Sequence, residues 1–367
     1  MFSYLKYLKY LFRKKYPAEI TFFVTGRCNF RCRHCFNRQD NRQPSTSEEL
    51  TIAQIQEMTQ TMPPLLRLSL SGGEPFLRHD LIQICQAFYK NCRPKFITIP
   101  SNGSLTDQTI EDAEEIARTC PRSFIYIGLS LDGVGSQRDQ IVGRDNTSES
   151  LIKTARGLKA LQQKYDNLGV GVITTQTPEN ENGLEEIRRF ALNELGVDNF
   201  GFNVARKMNF KEDIAIAADL EIYRNFTRRL MRKRKSPRPN MPLSSFFVAK
   251  KNLVFERVYK TYKEKKYQSR CFSGRLRVVI NEAGDVYPCE MFQFCADQRR
   301  FLMGNIKDHG LDFNKLFFSN RAQQIKEDID TMKCFCAHEC DLETNILFNP
   351  KILPQILLEA ARSKLDF

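Results

Sequence analysis

From residue 18 to about residue 206, short apolar, β-branched runs alternate with stretches of helical period. That alternation leaves few folds open. Each strand is followed by a helix that crosses back over the sheet, so neighbouring strands run parallel and both faces are covered. The runs predict strands over Ile20–Val24, Arg67–Leu70, Phe96–Ile99, Phe124–Ser130, Gly169–Thr174 and Asn199–Val204. Helical patterns fill the gaps, at Asp80–Lys90, Thr109–Arg118, Ser148–Lys164 and Gly183–Glu194. Six strands fall short of the eight that close a full barrel. The expected fold class is therefore α/β: a partial (β/α)6 TIM-type barrel with its functional face at the loops after the strands.

The remaining segments are distinct in character. Residues 1–17 read as an N-terminal amphipathic basic helix, with Phe2, Leu5, Leu8 and Phe12 on one face, Lys6, Lys9 and Arg13 beside it, and Pro17 ending it. Residues 1–16 offer a peripheral contact to an anionic membrane, but docking on the protein's own body is the favoured reading. The barrel core spans 18–210. Residues 211–268 form a charged helical bridge interrupted by SPRPNMP near 236–242. Residues 269–345 make a small C-terminal cysteine-rich α+β auxiliary domain, in which RLRVVIN, a turn at EAGD and a run ending VYPC predict a hairpin, followed by a helical pattern around Asp312–Met332. Residues 346–367 end the chain, with a helix expected over Ile352–Lys364.

No apolar run reaches the roughly 18 residues of a membrane span, and no cleavable signal peptide is present. The expected location is the cytoplasm, with membrane association through the N-terminal helix as a variant. In a reducing compartment, clustered members of the 12 cysteines serve as metal ligands or redox groups rather than as disulfides. The 56 Lys+Arg against 43 Asp+Glu give a net charge of +13 and favour anionic neighbours. No nucleic-acid module is visible, which disfavours nucleic acid as the partner.

Cys28, Cys32 and Cys35 stand as Cys-x3-Cys-x2-Cys in TGRCNFRCRHCF, directly after the first strand. A cubane iron–sulfur cluster has four irons, usually held by four thiolates. Three thiolates leave one iron with an open position, as catalytic metal sites require. A structural zinc would need a fourth ligand, for which His34 is the alternative. After the second strand comes SGGEP at 71–75, where Gly72 and Gly73 permit close backbone approach to a ligand and Pro75 suits a helix start.

The cysteine triad followed by SGGEP, in this order and spacing, resembles the radical S-adenosylmethionine (SAM) superfamily, with residues 18 to about 206 as its core. The resemblance implies a [4Fe-4S] cluster on Cys28, Cys32 and Cys35 whose fourth iron chelates SAM. Reductive cleavage of SAM then yields a 5′-deoxyadenosyl radical that abstracts a substrate hydrogen. Further cofactor contacts are implied at His34, which stands at a usually aromatic position; at Gly72, Gly73 and Glu74, near the methionyl ammonium; at Asn102; and at Ser130 and Arg144, on the SAM carboxylate. Asn203 and Arg206 face the same mouth without an assigned role. A reductant such as flavodoxin or ferredoxin is implied as partner.

Cys271, Cys289, Cys334, Cys336 and Cys340 resemble the SPASM and twitch auxiliary domains, which implies one auxiliary [4Fe-4S] cluster. Five candidates compete for four positions: Cys271, Cys289, Cys336 and Cys340 are preferred, Cys334 competes, and Cys295 is weaker. A zinc ribbon on the same thiolates, which His338 could join, is the alternative. Cys85, Cys92 and Cys120 read as buried small hydrophobes. A fully ligated auxiliary cluster suits electron transfer from a substrate radical. The expected reaction is oxidative maturation of a peptide, or dehydrogenation or modification of a small anionic metabolite. Some 18 residues precede the first strand, so a separate protein would present a peptide. An RNA-modifying enzyme and a non-catalytic iron–sulfur or zinc scaffold are the other readings.

Overall fold

The computed structural model describes residues 7, 9–38, 48–206, 218–233, 244–295, 297–334 and 336–365. All six expected core strands are present: β1 (Glu19–Thr25), β2 (Arg67–Gly72), β3 (Phe96–Ser101), β4 (Phe124–Ser130), β5 (Leu168–Gln176) and β6 (Asn199–Val204). They pair parallel in chain order, for example Ile97 opposite Ile125 and Val172 opposite Phe200. The intervening helices Leu81–Cys92, Thr106–Thr119 and Thr147–Leu161 bury an apolar stripe against the sheet. Cys85, Cys92 and Cys120 are wholly buried within this core, as their isolation in the sequence indicates.

The auxiliary segment does not build a sheet of its own. Strand β7 (Arg277–Ile280) pairs parallel with β1, and β8 (Asp285–Tyr287) and β9 (Gly304–Asn305) continue antiparallel, so one nine-stranded sheet runs β6-β5-β4-β3-β2-β1-β7-β8-β9. With neighbours on both edges, every residue of β1 is buried, Glu19 included. The acid is answered from β7: the fully buried Arg277 lies 3.8 Å from Glu19, donates to Thr21 Oγ1 and to Glu290 at 2.7 Å each, and lies 3.3 Å from Asp341. In the β7–β8 turn, Asn281 Oδ1 accepts from the N–H groups of Ala283 and Asp285 around Gly284, whose φ of +96° suits glycine.

Several helices differ from the sequence pattern. Ile52–Gln60 was not anticipated, although its reciprocal Thr51/Gln54 capping box is written in the sequence. Glu339–Leu347 was also missed, its period masked by a cysteine and buried acids. The Asp312–Met332 pattern divides into Phe313–Phe317, capped by Asp312, and Asn320–Met332, capped by Ser319. In the bridge, helices Leu220–Lys233 and Ser244–Glu264 are described; SPRPNMP lies outside the described residues.

Of the expected N-terminal helix, Lys9–Phe12 is helical, while Phe2, Leu5 and Leu8 lie outside the described residues. Among the described residues, tyrosines make the docking contact. Tyr7 and Tyr10 are buried and donate their hydroxyls to the carbonyls of Leu65 (2.9 Å) and Pro64 (3.3 Å), whereas Phe12 is 79% exposed. An amphipathic ring with a hydroxyl tip satisfies both the apolar wall and an otherwise free carbonyl. Among the described residues, no helix is long and apolar enough to cross a membrane.

Candidate iron–sulfur site

The chain leaves β1 at Thr25 and turns into the cysteine loop, which is anchored on two sides. Arg31 and Arg33 donate their N–H groups to Val142 and Ile141 at the end of helix Ser136–Val142. From β2, the N–H groups of Gly73 and Glu74 donate to the carbonyls of Thr25 and Arg27, each at 2.9 Å. A Cβ on Gly72, whose φ is +138°, would stand 2.1 Å from the Thr25 oxygen. The glycines allow a close approach to the cysteine loop, and Gly73 also lines the cavity beside it.

The three thiols face a cavity of about 280 Å³ at the C-terminal ends of the strands. Burial pushes Cys32 up to about 12, with the fields of Asp132, Cys35 and Cys28 adding to it. Burial likewise raises Cys28, where Glu74 and Cys35 contribute. Three thiolates so close to two carboxylates repel one another, and a multiply charged metal centre is what holds such a set deprotonated. The donor set fits a cluster with three protein ligands.

The other expected contacts separate into two groups. His34, Gly73, Glu74, Asn102 and Ser130 line the cavity; Gly72 and Arg144 do not. His34 Nε2 is 3.4 Å from Asp132. Glu74 is fully engaged in holding loops: its carboxylate accepts from the N–H of Asn102 at 2.7 Å and of Phe76 at 3.3 Å, and burial pushes its pKa up to about 7. Arg144 instead donates to the Asn29 carbonyl at 3.2 Å and lies over the Phe30 ring. A guanidinium that does line the cavity on this side is that of Arg138, 1% exposed, which donates to the carbonyls of Ser130 (2.7 Å) and Asn102 (2.8 Å) and leaves Nε without a partner among the described residues. Its helical position, six residues before Arg144, gave no signal beyond charge.

The opposite wall belongs to the auxiliary segment: Glu290, Met291, Phe294, His338, Glu339 and Cys340. Asn203 and Arg206 line the cavity between the two walls, and Arg206 pairs with Glu339. Burial and then Asp341, Cys336 and Cys271 raise the Cys289 thiol well above its ordinary value. Cys334 is pushed up to about 12 by burial and by Cys271, and Cys336 is raised by burial, Asp341 and Cys271 in turn. Cys271, Cys289, Cys334 and Cys336 thus share one field. After burial, the groups acting most on Cys340 are Arg277, Glu290, Glu343 and Asp341, none of them a thiol. Cys340 also lines the cavity, where its sulfur lies within 4.8 Å of donor atoms of Glu290 and His338. Cys295 donates to the Phe292 carbonyl.

A parallel partial barrel that presents three thiols to an internal cavity defines a protein built around an under-ligated iron–sulfur cluster. Residues 22–191 match the radical SAM superfamily and residues 271–341 the SPASM iron–sulfur cluster-binding domain, and the chain belongs to the radical SAM superfamily. Its cofactors are accordingly a [4Fe-4S] cluster, SAM and an auxiliary cluster.

Pre-heme d1 synthase of Dinoroseobacter shibae is 32% identical over 180 residues, 48% of this chain and 41% of that protein. Antilisterial bacteriocin subtilosin biosynthesis protein AlbA of Bacillus subtilis is 25% identical over 303 residues, 79% of this chain and 57% of that protein. The chain therefore spans only part of the length of these curated relatives. Native anSMEcpe with bound AdoMet and Cp18Cys peptide shares the fold, with a TM-score of 0.57 at 16% identity over 95% of this chain and 98% of that one.

Proposed function

We propose that this protein is a peptide-modifying radical SAM enzyme that carries out a net oxidation. The observation that carries this reading is a single cavity with Cys28, Cys32 and Cys35 on one wall and the auxiliary segment, Glu290 to Phe294 and His338 to Cys340, on the other. When bound, the cluster supplies the electron that splits the SAM sulfonium, and the nucleoside fragment takes a hydrogen atom from the substrate.

The chain's own residues bind and orient. Cys28, Cys32 and Cys35 hold three irons and leave the fourth for SAM. Gly73 and Glu74 clamp the cysteine loop, and Asn102, Ser130 and Arg138 supply polar groups around the nucleotide. Cys271, Cys289, Cys334, Cys336 and Cys340 would supply the ligands of the auxiliary cluster, which would take up the one electron left on the substrate radical after the hydrogen atom has gone. A flavodoxin or ferredoxin would supply the separate electron that cleaves SAM.

A peptide substrate is favoured because the likeness to AlbA is too long to lie within the core alone. The likeness to pre-heme d1 synthase covers less than half of this chain. The test is anaerobic reconstitution, reduction and incubation with SAM, with 5′-deoxyadenosine as the readout. A protein with verified clusters that forms none would rule the reading out. Peptide dependence is then read from the mass of a candidate precursor.

A further inference from the structure

The cysteine loop has two faces, and the chain geometry separates them. Cys28, Phe30, Cys32 and His34 line the cavity, whereas the intervening Asn29, Arg31 and Arg33 do not. That alternation is the period of an extended chain, in which successive side chains point to opposite sides. The backbone that aims the cluster ligands inward therefore aims Arg31 and Arg33 outward, and both are exposed. We propose that Arg31 and Arg33, flanked by Arg144, form the docking face for an acidic one-electron carrier protein.

Charge is the first argument. From Gly26 to Asn37 the loop carries Arg27, Arg31 and Arg33 and no acid. Arg27 is engaged by Glu49 at 3.4 Å, but neither Arg31 nor Arg33 has an ion-pair partner among the described residues. The adjoining segment adds the exposed Arg144, which reaches the Asn29 carbonyl and the Phe30 ring. Of the two acids beside it, Asp139 already accepts from the N–H groups of Asn146 and Thr147, which leaves Asp145 against Arg31, Arg33 and Arg144. The face is cationic on a chain of net charge +13, so an acidic partner is steered towards it.

Fixed placement is the second. Arg31 and Arg33 donate their N–H groups to Val142 at 2.9 Å and Ile141 at 3.1 Å, and a Cβ on Gly143 would stand 3.3 Å from the Cβ of Arg31. The loop and the end of helix Ser136–Val142 are thus one surface.

Position relative to the cluster is the third. Cys32 has an arginine on either side, each about 3.8 Å away along the chain. A carrier seated there stands one thickness of the loop from the irons held by Cys28, Cys32 and Cys35. SAM and substrate use the cavity, so an electron is what the outer face can deliver. The carrier is oxidised by one electron and the cluster reduced by one; no bond forms or breaks. Redox proteins meet through small, transient interfaces, in which a few charges set the rate of encounter.

The inference rests on the radical SAM reading and deepens it by naming where the electron enters. The probe is a reduced, acidic flavodoxin mixed anaerobically with the holoprotein, with cluster reduction followed by absorbance and binding of the oxidised carrier measured alongside. In Arg31→Glu/Arg33→Glu with wild-type iron, the second-order rate constant and the affinity should each fall at least about tenfold at low salt, and the gap should close at high ionic strength. Dithionite, which needs no docking face, should drive 5′-deoxyadenosine formation equally in both. Arg228→Glu/Arg229→Glu makes the same change of charge at exposed positions of helix Leu220–Lys233 and should behave as wild type. Should the first pair lose iron, Arg31→Gln/Arg33→Gln replaces it, with a fall of at least about threefold expected. A carrier that binds and reduces the variant as it does the wild type, or an equal loss in the Arg228 and Arg229 pair, would overturn the proposal. Wild-type protein that forms no 5′-deoxyadenosine with dithionite would overturn the radical reading instead, while the difference in carrier binding still decides the docking face.

Discussion

Gly73 and Arg27 meet backbone to backbone: a Cβ on Gly73 would stand 2.0 Å from the Arg27 carbonyl oxygen and 2.9 Å from the Cβ of Cys28. The same oxygen accepts the Glu74 N–H at 2.9 Å. The loop after β2 is thus a clamp on the loop that carries the cluster ligands, and the missing side chain is what lets it close.

Gly73→Ala should force the two loops apart at a cost of roughly 1–3 kcal/mol, the range for overpacking a close contact. A lower melting temperature together with reduced iron at the triad is expected. An alanine variant with wild-type iron and stability would show that the loops have room.

Replacing any one of Cys28, Cys32 or Cys35 by Ala should abolish SAM cleavage, because each holds a different iron of the same cluster. Product analysis for 5′-deoxyadenosine decides the matter. Cleavage persisting in one pure variant would remove that cysteine from the ligand set.

Cys289→Ala should lower iron from about eight to about four per chain while leaving the triad cluster in place. Chemical iron analysis with spectroscopy of the remaining cluster checks this. Unchanged iron would place the auxiliary ligands elsewhere.

Burial raises the Glu74 carboxyl from 4.5 to about 7. In that window the folded protein keeps a proton that the unfolded chain has released, so stability falls as pH rises, by up to roughly 1.4 kcal/mol per pH unit. The penalty is absent below the unfolded value and complete above the folded one. Glu74→Gln cannot ionise, so wild type should lose stability relative to the variant between about pH 5 and about pH 8. Denaturant unfolding at the two pH values measures it, and a constant difference would contradict the assignment.

Arg277→Met should destabilise the fold by roughly 3–5 kcal/mol, since Glu19, Glu290 and Asp341 would keep their charges and lose their shared cation. Because Glu19 lies on β1 and Arg277 on β7, the loss should loosen the join between core and auxiliary segment. Hydrogen exchange at β1 and β7 reads this directly, and unchanged protection there would separate the network from the join.

The six core strands were legible because each is a short apolar run between helical periods; β4 and β6 match the expected residues at both ends. The cysteine triad was legible because its ligands are adjacent in sequence. The Arg138 guanidinium at the cavity was not, although Arg206 was. Arg138 and Arg144 have the same charge on the same stretch of chain, and only the orientation of helix Ser136–Val142 buries one and turns the other to the Asn29 carbonyl.

Local period and ligand spacing, both carried by a few consecutive residues, determined the barrel strands, the three-thiol loop and the presence of a second cysteine group. Folding alone decided that β7 completes the edge beside β1, that SGGEP grips the cysteine loop through backbone contact, and that Cys340 faces the cavity with Glu290 and His338. Those relationships join residues tens to hundreds of positions apart. They depend on packing geometry and on where buried charges find partners, and neither leaves a periodic trace in the chain.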